Sequence, residues 1–168
     1  CRPRWNGGGS GPRRGVSDMS LSFKAFPPAV IYTRSPSSSN GWGKARGPVV
    51  ALPSDHHPRQ LAHELLHVVQ WWVVTVLAAL AIYAASVYVQ QIPVHAVGLS
   101  FGVMSGLSYV SPGFRFRMEA AGYGASVRVD PNSLDRYAVA LAQSYGLDVS
   151  AAECRELISK RAADGRLI

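Results

Sequence analysis

The chain has 168 residues, of which 48% are hydrophobic and 16% charged, enough apolar content for one domain with a sizeable core. Its formal charge of +7 is uneven: Arg2, Arg4, Arg13 and Arg14 against Asp18 put +3 of it in residues 1–18. The rest carries no lysine and arginine stripe interleaved with aromatics, which excludes a nucleic-acid footprint.

Residues 1–18 include Gly7-Gly8-Gly9-Ser10-Gly11 and lack the apolar side chains a core requires. They are expected to form a low-complexity leader, with the functional polypeptide starting at or near Met19 and a single domain over 19–168. Ala29-Val30-Ile31-Tyr32 predicts a strand. Ser35 to Gly47 is Ser-, Gly- and Pro-rich and predicts a loop. Gly47 to Pro53 predicts a short strand, and a proline at each end places it at a sheet edge. Ser54-Asp55 offers a helix cap and Pro58 suits a first turn.

His63-Glu64-Leu65-Leu66-His67 then reads H-E-x-x-H. On a helix, positions i and i+4 share a face, so both imidazoles can reach one metal ion. Glu64 follows the first ligand and can act as a general base on water. Two nitrogen ligands, an open coordination position and a base are what zinc-dependent peptide hydrolysis needs. The bland alternative is a helix with two surface histidines.

From Val68 to Phe114 there is no charged side chain, with histidine counted as neutral. Trp71 to Val89 is long enough for a membrane span, which takes about 20 residues. Val94 to Val110 is a second, weaker apolar run, and Gln90-Gln91-Ile92-Pro93 would be the turn between them. Residues 71–110 therefore predict a long apolar helical hairpin. It is either membrane-inserted or buried in protein, for which the alanines at 78, 79, 81, 84 and 85 would permit close packing. Arg59 before it and Arg115 and Arg117 after it would put both flanks on the cytoplasmic side of a membrane.

Phe114 to Val129 predicts a helix despite Gly122 and Gly124. Ser133 is expected to cap the next helix, which ends at Gly146. Ser150-Ala151-Ala152-Glu153 is a capping box for a last helix ending near Gly165. The overall expectation is α+β, mostly helical, with a small β element before the motif helix and two C-terminal helices.

A hydrolytic zinc site takes three protein ligands. Between His67 and Asp130 the only acidic residue is Glu119, set among small residues in Glu119-Ala120-Ala121-Gly122. Glu119 is the leading third ligand, with His95, Asp130 and the His56-His57 pair as competitors.

The stretch Ala62 to Val68, with Gln70 after it and Glu119-Ala120-Ala121 later, resembles the gluzincin-type zinc metallopeptidases. In layout it is similar to membrane-embedded peptidases of the HtpX type and to short H-E-x-x-H proteins of bacteriophages. About 30 residues carry the resemblance. It implies a zincin-like fold, Zn2+ held by His63, His67 and Glu119, and Glu64 as the catalytic base. It also implies a peptide or protein substrate paired along Val49, Val50, Ala51 and Leu52, and an oxyanion donor such as Tyr123 or Tyr137. Where the HtpX type places an aspartate four residues after its glutamate ligand, this chain has Tyr123, which puts the groups that orient the ligands in doubt. The alternative is a non-catalytic subunit of a larger assembly, such as a phage virion, in which the hairpin meets protein partners.

Overall fold

The computed structural model describes residues 21–25, 27–34, 43–89 and 94–165. The expected leader, the start at Met19 and the turn at 90–93 lie outside them. The architecture is α+β and mostly helical, as the sequence predicts.

Four short strands come first: β1 (Leu21–Lys24), β2 (Ala29–Arg34), β3 (Lys44–Arg46) and β4 (Val49–Pro53). They form one sheet in the order β1-β2-β4-β3. β4 runs parallel to β2 and antiparallel to β3. Val49, Val50, Ala51 and Leu52 are thus interior to the sheet, not an edge. The prolines do not disturb this position, because their missing N–H groups fall outside the ladder's interior. Pro48 instead accepts a hydrogen bond from Val30 N–H at 2.9 Å, and Pro53 is the last residue of its strand. The edge is β3, drawn from the segment expected to be loop. Gly47 turns the chain from β3 into β4 with φ of 61°, a conformation that glycine adopts without strain.

Alternation along β4 decides which face meets the helices. Val50 and Leu52 are fully buried against Leu61, Leu65 and Val68. Those three belong to α1 (Pro58–Tyr88). The opposite sheet face carries Tyr32, Lys44, Arg46, Val49 and Ala51 around a shallow basin of about 290 Å³. That basin lies behind the sheet, away from the motif.

α1 begins at His57, not at Ser54-Asp55. His57 Nδ1 accepts from Arg59 N–H, and its own N–H donates to the Gln60 side chain, so two of the helix's orphan donors are satisfied here. The motif and the first apolar arm are one uninterrupted helix of 31 residues, about 46 Å long. The second arm is a 3-10 segment, Val94–Leu99, followed by α2 (Ser100–Val110).

Ser111 then caps α3 (Pro112–Val129) by accepting from Phe114 N–H. The helix lies between α1 and the C-terminal pair α4 (Leu134–Ser144) and α5 (Ala151–Asp164). Ser133 occupies the N-cap position of α4, as expected, but its side chain makes no capping hydrogen bond. It sits in a 3-10 turn, Pro131–Ser133, and its hydroxyl donates to the Asp130 carbonyl at 2.6 Å. The predicted capping box of α5 forms, with Ser150 N–H donating to Glu153 at 2.8 Å, and Gly165 ends the helix at φ of 65°.

The largest core cluster joins Phe116, Ala120, Tyr123 and Val127 of α3 to Tyr137, Leu141, Cys154 and Ile158. Two glycines set how closely α3 can be approached. A methyl on Gly124 would lie 2.8 Å from Arg161 Cβ and 3.0 Å from Ala162 N of α5. We expect Gly124→Ala to lower stability. The overpacking cost of about 1–3 kcal/mol exceeds the gain of up to about 1 kcal/mol in helix propensity. Chemical denaturation of both proteins would check this.

Candidate metal centre

His63 and His67 stand one turn apart on α1 and aim their Nε2 atoms at each other, 3.0 Å apart. Glu119, on α3, brings Oε2 to 3.3 Å from His63 Nε2 and 3.5 Å from His67 Nε2. At this distance either one Nε2–H donates to the other ring's lone pair or a cation sits beside both nitrogens. Four-coordinate zinc with bonds of about 2.0–2.1 Å separates its ligand atoms by about 3.3–3.4 Å. The observed triangle has this size, and its donor set of two imidazoles and one carboxylate suits such an ion. The three side chains can hold a metal ion.

The geometry depends on how closely α3 meets α1. A methyl on Gly122 would fall 2.8 Å from His63 Cε1 and 2.9 Å from its Nδ1. Glycine at this position lets the imidazole occupy the space where a side chain would stand. On its other side, the His63 ring packs against Tyr123, with centroids 4.8 Å apart.

Gln70 fixes the other histidine. It is fully buried, and its Nε2 donates to the Met118 carbonyl at 3.3 Å. This turns its Oε1 toward His67 Nδ1, 2.8 Å away. An amide oxygen only accepts, so Nδ1 carries a proton and Nε2 is the nitrogen turned to Glu119, as an N–H donor to the carboxylate without a metal and as a ligand with one. The same side chain ties α1 to the backbone beside Glu119, supplying part of the orienting shell that Tyr123 put in doubt.

Electrostatics agree with a cation site. Burial opposes charge on Glu119, but hydrogen bonds from His63 and His67 outweigh it and hold the carboxyl far below the usual carboxylate range. Burial likewise opposes charge on His67, yet the hydrogen bond and charge of Glu119 raise its pKa above the ordinary histidine value. The cluster therefore keeps an anion and favours positive charge beside it.

Glu64 is buried at 8% exposure and lies toward β3, where the Ala45 backbone N–H donates to it. A methyl on Gly43 would come within 2.9 Å of Glu64 Cγ. Burial raises its pKa, and the neighbouring histidines only partly offset this.

The competitors for the third ligand are placed elsewhere. His56 Nδ1 donates to the Pro53 carbonyl at 3.0 Å, His57 caps α1, and Asp130 pairs with Arg59. The backbone of His95 is in the 3-10 segment, and its side chain lies outside the described ones.

The tyrosines are rearranged relative to expectation. Tyr123 and Tyr137 stack at 4.6 Å, and both are buried. Tyr137 stands behind Tyr123, while Tyr123 packs on His63. The hydroxyl that reaches the cluster is that of Tyr145, which hydrogen-bonds to the Glu119 carboxylate. Its ring is held by Phe116 at 6.3 Å and lies under the Arg115 guanidinium at 5.5 Å. Only the tertiary fold brings Tyr145 to Glu119, so no local sequence signal marks it.

Comparison with protein families, with curated proteins and with solved structures finds no match to this chain. The residues and their geometry therefore carry the functional assignment.

We expect Gln70→Ala to free the His67 ring and lower metal affinity by about 10–100-fold, with little change in helix content. Competition against a chromophoric chelator, alongside circular dichroism, measures both.

Proposed function

We propose that the chain is a zinc-dependent peptidase with a zincin-like arrangement of one strand edge and two helices. The observation that carries the proposal is the convergence of His63, His67 and Glu119 next to a buried Glu64 that accepts from Ala45 of β3, a strand with no second strand partner among the described residues. A bare metal store would not need a buried carboxylate with a raised pKa beside its ligands.

His63, His67 and Glu119 would hold the zinc. When bound, zinc would supply Lewis acidity, lowering the pKa of water toward about 7 and polarising the scissile carbonyl. The chain's own residues account for the rest. Glu64 takes a proton from the attacking water and delivers it to the leaving amine. Burial raises its pKa above the ordinary carboxylate value, which favours its holding the proton between the two transfers. Gln70 and Tyr145 keep His67 and Glu119 oriented during these transfers.

The substrate edge moves from β4 to β3. An extended peptide would pair along Lys44–Arg46 by strand addition, which sets its backbone beside Glu64. The charged side chains of Lys44 and Arg46 are exposed, which discourages edge-to-edge pairing with other copies.

A second class is a non-catalytic subunit of a larger assembly, favoured by the exposed apolar surface of the hairpin. Metal analysis and one substitution separate the two. We expect about one zinc per chain by inductively coupled plasma mass spectrometry, lost in His63→Ala and in Glu119→Ala. Glu64→Gln should keep zinc and lose at least about 10²-fold in hydrolysis of an unfolded protein substrate. Undiminished turnover in Glu64→Gln would refute the scheme, and absence of zinc from the wild type would move the subunit class to first place.

A further inference from the structure

The two sequence-based alternatives for the apolar hairpin differ in one observable, its burial. Helix α1 is long and apolar enough to cross a membrane, and its most apolar 18 residues have a mean hydropathy of 2.0. Only 22% of those residues are buried, whereas a core helix of this length would be mostly covered. The other described residues leave most of this arm of the hairpin uncovered.

What is exposed is concentrated. Val76, Leu77, Leu80, Tyr83, Val87 and Tyr88 face outward on α1, and Leu99, Phe101 and Leu107 do so on the second arm. At 100° per residue, these six side chains of α1 span an arc of about 140°, somewhat wider than the stripe of about 100° that packs one face of a helix. Apart from the phenols of Tyr83 and Tyr88, the described hydroxyls of the hairpin are turned the other way. Thr75 and Ser100 are buried, and Ser86 returns its hydroxyl to the Tyr83 carbonyl at 2.7 Å. A surface that is apolar outside, with hydroxyls inside or satisfied by their own backbone, is built for hydrocarbon.

Length and charge point the same way. The exposed part of α1, Val76–Tyr88, measures about 20 Å along its axis, and the 3-10 segment plus α2 about 28 Å, so the hairpin reaches well into a hydrocarbon core of about 30 Å. The base of the hairpin is fixed to the globular part, where Trp71 and Met118 pack with Trp72, Val74 and Phe114. The first charges after it, Arg115 and Arg117, are exposed at that base. They are placed to meet anionic headgroups.

We propose that the hairpin inserts into a lipid bilayer, entering and leaving on the side that holds the metal centre, with Arg115 and Arg117 against anionic headgroups. The proposal is independent of metal loading, and joined to the peptidase reading it restricts the substrate. His67 precedes Val76 by nine residues, about 13 Å of helix. The site therefore stands near headgroup level, and its substrates are extended segments lying close to the membrane surface.

The test is flotation of the full chain with vesicles of phosphatidylcholine alone and with added phosphatidylglycerol. Helix content by circular dichroism is measured on every variant as the control for folding, with zinc content read beside it. We expect the wild type and Glu64→Gln to float equally, and more strongly with phosphatidylglycerol. Leu77→Arg with Leu80→Arg should cut vesicle binding at least tenfold at unchanged helix content, and Arg115→Gln with Arg117→Gln should remove the preference for the anionic lipid. A wild-type protein that stays in the aqueous fraction, or is a monodisperse oligomer without detergent, would overturn the proposal in favour of a protein partner. So would equal flotation of the Leu77→Arg, Leu80→Arg variant. Loss of zinc without loss of flotation would count against the peptidase alone.

Discussion

Helix α3 can lie against the His63 ring only because residue 122 has no side chain. The two histidines are fixed by one helix and need no tertiary help to share a face. Their third partner comes from 52 residues beyond His67, and its carboxylate reaches them because the α3 backbone lies directly against the His63 ring. The run Ala120-Ala121-Gly122 provides that approach, while Gly124 repeats it on the side facing α5. A helix thinned on two sides in this way is a spacer. It sets the distance from Glu119 to α1 and transmits the packing of the C-terminal helices to the cluster.

Around that contact the polar groups form one connected set. Gln70 runs from His67 to the Met118 carbonyl, and Tyr145 reaches Glu119 from the end of α4. Asp130 pairs with Arg59, and Ser126 donates to the Arg59 carbonyl at 3.0 Å, joining the two helices again at the other end of α3. Partly buried polar groups of this kind gain little net stability but fix register, since a shifted helix would leave them unpaired.

The centre was legible in the sequence where the signal is local. The i, i+4 histidines, the glutamate between them, the capping box at Ser150 and Glu153 and the glycine stops at 146 and 165 follow from spacing alone. Glu119 was reachable by elimination, because so few acids stand between the motif and Asp130. The sheet was less legible. β3 is three residues long and lies in a segment of turn-forming composition, so it is defined by pairing with β4 rather than by propensity. Val49–Leu52 looked like an edge because proline marks edges, but the ladder leaves its proline positions at the ends. Tyr145 was hidden for a different reason. It follows α4 and belongs to the Glu119 environment only through the packing of α3, a contact 26 residues distant in the chain that no periodicity announces.

The continuity of α1 couples two parts of the molecule by helix register. The histidines and the apolar arm share one unbroken backbone, with no hinge, proline or glycine between Val68 and Tyr88. Their relative orientation is therefore counted in residues. One residue inserted between His67 and Val76 would advance the arm by about 1.5 Å and turn it by about 100° relative to the cluster. Three or four residues would almost restore the angle while lengthening the rod by a turn. The number of residues between the motif and the arm works as a ruler and a compass at once, fixing how high the centre stands and which way it faces.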